Sequence, residues 1–321
     1  MLDRPTVCPA GWLFGILKGG NERLDFKERL IVFLIAIAID LLLGEYPSKL
    51  HPVVYMGRLG KIFDQVRSKL GRGRRSFIEF MLGFSALVGE SLLWITVATL
   101  VESVKSKVLM IILSALIFKS TFSIRGLYEH VAKCLTSDIE QLRKNVSMIV
   151  SRDTSKLDHQ HLYSAAIESL SENIHDSYVG PMFYYLLFGL PGAVVYRVVN
   201  TYDALFGYRN EKYEWFGKFP ARLDDVLNFV PARISTLFIM LFNPSRALSY
   251  IKKYGHLKIN ATYPMSAFAG VLGIGLEKLG YYKFEGPLPT VEDLKRALSL
   301  FCKVTVLILA AFTLLLLAVI S

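Results

Sequence analysis

An all-α, polytopic membrane protein with about four to six membrane-embedded helices is the fold class this sequence predicts. Three observations lead there. Of the 321 residues 53% are hydrophobic, and the mean hydropathy is +0.40, above what soluble domains carry. Apolar runs recur at lengths near the roughly 20 residues that cross ~30 Å of hydrocarbon. Strict apolar–polar alternation and hairpin turns are rare, so strands have little support.

Residues 30–43 form a short apolar run with Asp40 near its end. Residues 77–100 are long enough to span and contain Glu79, Gly89 and Glu90. Residues 108–122 are short, with Lys119 near one end. Residues 182–199 are apolar but broken by Gly189, Pro191 and Gly192, which suits a bent or re-entrant pair of half-helices. Residues 228–242 carry Pro231 and Arg233 and are expected to lie at the interface rather than to cross. Residues 304–320 are the clearest span. The stretch 243–302 is expected to be a cytoplasmic connection with an amphipathic helix around 291–300. Residues 1–26 read as an N-terminal extension, and 27–321 as one membrane-embedded domain without internal repeats.

The net charge is +10 and the isoelectric point about 9.4. The excess sits in loops beside apolar runs: residues 45–76 hold eight Lys/Arg. Such loops mark the cytoplasmic side and favour anionic lipids or an anionic substrate; a nucleic-acid partner is not expected. With that loop inside, the polar region 123–176 is also inside, and the last span runs outward. The three cysteines, Cys8, Cys134 and Cys302, are isolated, which argues against a disulfide framework or a zinc site. Walker A, HExxH and GxSxG patterns are absent, and Gly273-Ile-Gly275 does not continue as GxGxxG.

Polar residues crowd into 151–233, between apolar blocks. Ionisable groups beside a bilayer are costly, so this stretch is the candidate site. A helix over 157–178 places Glu168, Glu172, His175 and Asp176 on one face. Like charges there repel, so a cation should face them: an arginine, a magnesium ion or an amine. Asn173 adds an amide beside the stripe. Arg152, Asp153 and Thr154 precede this helix; Asp153 or Thr154 suits a helix cap, and Arg152 suits a phosphate. Asn200 and Asp203 follow the apolar break, and Tyr208, Arg209 and Asn210 follow a glycine in a turn expected to reach back to the same site. Arg222, Asp225 and Asn228 share a helical face, while Asp224 and Asn228 pair at i, i+4. Oxygen ligands of this kind suit Mg²⁺, which takes one or two carboxylates plus phosphate oxygens and waters. A solvated helix start is the plainer reading of Asp224-Asp225. His159 and His161 lie two apart, which is no helical metal pair, and are expected in solvent.

The strings SRDT (151–154), AIESLSEN (166–173), YRVVNTYDALFGYRNEKY (196–213) and FGKFPARLDDVLNFVPAR (216–233) resemble the CobD/CbiB family of cobalamin biosynthesis. The N-terminal IDLLLGEYPSKLHPVVYMGRL (39–59), with its His51-Pro52 pair, is similar to that family's opening. The resemblance runs from about Lys27 to the end, in the family's motif order. Ser151 and Ser171 depart from it, standing where the family usually has Gly and Ala. The resemblance implies ATP-dependent amide formation. A propionate of adenosylcobyric acid is joined to (R)-1-aminopropan-2-ol phosphate, or to the free amino alcohol, giving adenosylcobinamide phosphate. On that basis Asp224, Asp225 and Asp203 are expected to hold Mg²⁺, and Arg152, Arg209 and Arg222 to hold ATP or the aminopropanol phosphate. Glu168 or Glu172 would receive the ammonium and act as base. Asn173 and Asn200 would bond the corrin amides. Asp153 and Asp176 are further catalytic candidates, and Thr154, Arg233 and His51 further binding candidates. Association with other enzymes of nucleotide-loop assembly is a further expectation. Two other classes compete: a Mg²⁺-dependent intramembrane prenyltransferase, whose repeated DxxxD pattern this chain lacks, and a non-enzymatic AmpE-like sensor or a transporter.

Overall fold

The structure, a computed structural model, describes residues 24–69 and 75–320. The N-terminal extension up to residue 23, with Cys8, lies outside the described residues, as do residues 70–74 of the basic loop.

Asp25 and Glu28 close a reciprocal capping box that starts α1, Phe26–Leu43. The N-cap His51 and Pro52 at the first position launch α2, Pro52–Ser68. The long α3, Arg75–Glu102, returns, and Ser106 caps α4, Lys107–Ser120. Lys107 bonds Glu28 at one end of the α1–α4 pair and Lys119 meets Asp40 at the other, so α1 and α4 run side by side in the same direction. Short helices α5, Arg125–Ala132, and α6, Ile139–Ser147, lead to α7, His159–Ile174. A single π turn, His175–Val179, joins α7 to α8, Gly180–Phe206.

Gly189 has φ of 66° inside α8, a left-handed conformation glycine adopts without strain. The chain doubles back there. A straight helix would hold Gly180 and Tyr196 about 24 Å apart, yet a Cβ on Gly180 would meet the Tyr196 ring at 2.3 Å. Tyr184 stacks on Tyr196 with ring centres 5.4 Å apart. Pro191 opens the returning half, where its missing N–H costs least. The apolar break therefore makes a helical hairpin, one of the two arrangements it was expected to suit.

Two short helices follow, α9, Lys218–Leu227, and α10, Phe229–Met240. At about 18 Å, α10 is too short to cross a bilayer. The stretch 243–302 is more than an amphipathic connection. It holds α11, Pro244–Tyr254, and the buried α12, Thr262–Leu272, which packs on α7, α10 and α11. It also holds an antiparallel hairpin of β1, Glu277–Lys278, and β2, Tyr282–Lys283. Two-residue strands leave no alternation to read, and outside this hairpin the described elements are helical, as expected. The last helix, α13, runs unbroken over Val291–Ile320, merging the expected amphipathic segment and final span.

Among the described residues, four helical segments are long and apolar enough to cross a membrane: Ser76–Glu102, Lys107–Ala132, His159–Phe206 and Val291–Ile320. One core links α1, α4, α7, α8, α12 and α13, and a second joins α2, α3, the returning half of α8 and α9. Close backbone approach holds the second. A Cβ on Gly83 of α3 would lie 2.0 Å from the Phe216 carbonyl oxygen. Gly83→Ala is expected to destabilise the protein by about 1–3 kcal/mol, the cost of overpacking a fitted contact. Thermal unfolding of the detergent-purified variant checks this, and an unchanged midpoint refutes it.

Candidate functional site

The polar residues gather at one end of the bundle in three connected groups. The first is a cavity of about 380 Å³ lined by Arg152, Glu168, Glu172, Asn173, Lys258, Lys278 and Tyr282. Glu168 is 3% exposed. Its carboxylate pairs with Arg152 and accepts from Ser164 Oγ at 2.8 Å and Tyr282 Oη at 2.8 Å. The cation expected to face the glutamate stripe is therefore present as Arg152. Burial and the neighbouring Glu168 push the Tyr282 phenol well above its usual value, so it stays a donor to Glu168.

The second group is an acid–amide cluster. Asp224 Oδ1 accepts from Asn200 Nδ2 at 3.3 Å and Asp224 Oδ2 from Asn228 Nδ2 at 2.9 Å. Asn228 Oδ1 in turn accepts from Tyr196 Oη at 2.6 Å. The expected i, i+4 pair of Asp224 and Asn228 forms. Burial and the Asp176 charge raise Asp224 to about 7, against the two amide hydrogen bonds that lower it. Asp203 interacts electrostatically with both Asp224 and Asp225. Arg197 donates to Asn200 Oδ1 at 3.0 Å and to the Thr121 carbonyl at 2.5 Å, tying the cluster to the end of α4.

The third is a smaller cavity of about 210 Å³ lined by Tyr208, Arg209, Lys218, Arg222 and Asp225. Arg222 approaches Asp225 to 3.9 Å. The turn after Gly207 does reach back, since Tyr208 lines both cavities.

Several expectations need correction. Asp158 caps α7, accepting from the His161 amide at 2.9 Å, not Asp153 or Thr154. The helix begins at His159 because Asp158 takes that role. Asp153 closes a local turn on the Ser155 amide at 2.9 Å and is exposed. Thr154 is buried and donates to the Arg143 carbonyl at 3.2 Å. Neither lines the large or the small cavity. Asp176 feels the Glu172 charge, as the shared face predicted, but does not line the large cavity. It lies in the π turn, where α-helical spacing fails, and faces the acid–amide cluster. Arg233 lines neither cavity; it bonds Asn260 Oδ1 at 2.7 Å between the rings of Phe229 and Tyr263. His159 is exposed as expected, while His161 is half-buried and bonds Asp158 Oδ1 at 2.7 Å.

His51 serves as a helix end, accepting from the Val53 amide and meeting Glu45 Oε2 at 2.9 Å. Glu45 also lies 3.8 Å from Lys119 Nζ. Burial raises the Glu45 carboxyl, but hydrogen bonds from His51 and Ser123 and the Lys119 charge outweigh it and hold Glu45 at about 2. A depressed carboxyl contributes stability above its ordinary value of 4.5 and loses it as pH falls toward 2. The thermal midpoint of the wild type is thus expected to fall more steeply than that of Glu45→Gln between pH 5 and 2. Parallel slopes refute it.

Sequence reasoning missed Lys258, Lys278, Tyr282, Tyr196 and Arg197 as site residues. Arg197 had a signal, an arginine inside an apolar run. Lys258, Lys278 and Tyr282 had none, because only the fold brings 258–282 against α7. Among the described residues no three His, Cys, Asp or Glu side chains converge as metal ligands. Asp224 and Asp225, being adjacent on α9, point to different groups. The fit for Mg²⁺ is narrower. Asp176 Oδ1 is buried and accepts no hydrogen bond, with His175 Nε2 3.5 Å away, and the repulsion among Asp176, Asp203 and Asp224 would be offset by a cation. One or two of these carboxylates suffice if phosphate oxygens and waters complete the shell.

These features define a polytopic helical membrane protein whose polar end joins a cation-rich cavity to a carboxamide-buttressed acidic cluster. The profile of the family described as CobD/Cbib protein matches residues 33–301. A "Probable cobalamin biosynthesis protein CobD" of Pyrococcus abyssi is 50% identical over 275 residues, covering 85% of this chain and 91% of that protein. The Pyrococcus furiosus protein of the same name is 50% identical over 268 residues, covering 83% and 92%. A "Cobalamin biosynthesis protein CobD" of Dehalococcoides mccartyi is 39% identical over 270 residues, covering 79% and 86%. No solved structure matches. The chain belongs to the CobD/CbiB family.

Proposed function

We propose that this protein acts in cobalamin biosynthesis as an ATP-dependent ligase, joining a propionate of adenosylcobyric acid to (R)-1-aminopropan-2-ol phosphate. One observation carries the reading: the Arg152–Glu168–Glu172 cavity and the small Arg209–Arg222–Asp225 cavity meet at Tyr208. A carboxylate and an amine need activation to condense. The propionate oxygen attacks the γ-phosphorus of ATP, ADP leaves, and an acyl phosphate forms. The amine then attacks the acyl carbon, loses a proton, and expels inorganic phosphate.

The small cavity, with Arg209, Lys218 and Arg222, suits the nucleotide phosphates, since phosphoryl transfer depends mainly on positioning and charge neutralisation. Mg²⁺, held by Asp224 with Asp203, would supply charge neutralisation for those phosphates. Glu172, which no salt bridge occupies among the described residues, is the better placed of the two glutamates to take the amine's proton; Glu168 is already held by Arg152, Ser164 and Tyr282. Asn173 and Asn200 offer amides for the corrin periphery. The site end faces the cytoplasm in this reading. That is supported by the start of the basic loop, where Glu45 reaches Lys119, lying at the same end as the site. Association with later enzymes of nucleotide-loop assembly would suit an embedded ligase.

The test is turnover by the detergent-purified protein with adenosylcobyric acid, aminopropanol phosphate and Mg-ATP, read by mass spectrometry. Adenosylcobinamide phosphate that disappears when ATP is omitted supports the reading. Folded protein giving no product overturns it.

A further inference from the structure

Five charged side chains line the large cavity: Arg152, Glu168, Glu172, Lys258 and Lys278. Arg152 and Glu168 neutralise each other through their ion pair. The remainder is two positive charges and one negative. Neither lysine sits in an ion pair among the described residues. The Lys258 ammonium lies 6.0 Å from the centre of the Tyr282 ring, and that of Lys278 lies 4.7 Å from the Tyr281 ring. Burial, with Lys258 and Arg152 nearby, pushes the Lys278 ammonium below its usual value. These cations are crowded, and an anion between them would relieve the repulsion.

The lysines arrive from a part of the chain outside the acidic and arginine motifs. Lys258 precedes α12, and Lys278 stands opposite Tyr282 in the β-hairpin. The hairpin is pinned onto α7. The Glu277 amide donates to Ser164 Oγ at 2.8 Å, and Tyr282 Oη donates to Glu168 at 2.8 Å. Its glycine turn leaves Lys278 and Tyr282 over the cavity, while Lys283 turns outward and pairs with Glu277 at 2.9 Å.

The complementary ligand carries two negative charges and one positive. A phosphate monoester dianion with an ammonium has that pattern. A phosphodiester lipid headgroup carries only one negative charge and leaves one lysine unmatched. We infer that Lys258 and Lys278, with Glu172, form the binding site for a small ammonium-bearing phosphate monoester. The pinned hairpin thereby selects the phosphorylated over the free amino alcohol. The inference rests on the proposed ligation for the identity of that monoester.

Titration calorimetry of the full detergent-purified chain, without ATP or corrinoid, tests it with aminopropanol phosphate, free aminopropanol and inorganic phosphate as probes. The wild type is expected to bind the ester more tightly than the free amino alcohol. The Lys258→Met/Lys278→Met variant should lose about 10–100-fold in ester affinity, the range for charge-assisted hydrogen bonds. Lys283→Met, which removes the same charge outside the cavity, should bind as the wild type does. Glu172→Gln should weaken the ester but not inorganic phosphate. A double variant that binds the ester as the wild type does overturns the inference. So does loss of ester binding in phosphatidylethanolamine nanodiscs but not phosphatidylcholine ones, which would mark a headgroup site. Lysine-dependent ester binding in a protein that forms no amide would leave this site standing and remove the ligase reading. Turnover with an unchanged KM for the ester in the double variant would do the reverse.

Discussion

Lys119→Met is expected to cost about 3–5 kcal/mol of stability, the range for breaking a buried ion pair from one side. Lys119 and Asp40 are both fully buried and meet at 2.9 Å. Asp40 also accepts from the Ile124 and Arg125 amides at 3.1 and 3.0 Å, so it anchors the start of α5. Removing the ammonium leaves a carboxylate in an apolar core with only two neutral donors. The double variant Asp40→Asn/Lys119→Met removes both charges, and the asparagine oxygen can still accept from those amides. It should recover most of the loss, because the penalty belongs to the unpaired charge and not to the absent pair. Thermal unfolding and detergent-extracted yield of the three proteins decide the matter. A single variant as stable as the wild type, or a double variant no better than the single, would show that the pair carries no such penalty.

Asp224→Ala is expected to lower turnover by about 10²–10³-fold, the range for losing one preorganised charge-stabilising group. Asn200 and Asn228 hold both Asp224 oxygens in place. With the carboxyl raised to about 7, keeping it charged above that pH is costly, and an approaching cation offsets the cost. Alanine removes the charge and strands two amides. Asp224→Asn should be nearly as slow while unfolding close to the wild-type midpoint, since it restores an acceptor but no charge. Asp225→Ala, in the smaller cavity, should also abolish most turnover while leaving the protein extractable. Mass-spectrometric turnover paired with thermal unfolding separates chemistry from folding. An active Asp224→Ala protein would remove the acidic cluster from the reaction.

Much of the site was legible because its residues announce themselves locally. Glu168, Glu172 and Asn173 fall within about one and a half turns of a helix, and helical spacing alone puts the two glutamates along one wall. Asp224 and Asn228 meet for the same reason. The break at Gly189 was legible too, because glycine and proline limit what a helix can do there. Asp176 keeps Glu172 as a charged neighbour but falls outside the large cavity, because a π turn changes the spacing there. Asp153 and Thr154 were overvalued because a nearer residue, Asp158, took the cap. Each error came from a local rule overridden by one neighbouring residue or one irregular turn.

The sequence by itself determined the membrane class, the main apolar helices, the family and the acidic and arginine motifs. The family rests on the resemblance of its motif strings, and the rest on composition, periodicity or short-range spacing; none of these needs knowledge of distant contacts. Only the tertiary structure decided that Lys119 pairs with Asp40 and that Gly180 lies against Tyr196. It alone brought Lys258, Lys278 and Tyr282 to Glu168, more than a hundred residues away for the hairpin pair. Contacts of that kind depend on which helices pack together, and packing is chosen by the whole buried surface at once.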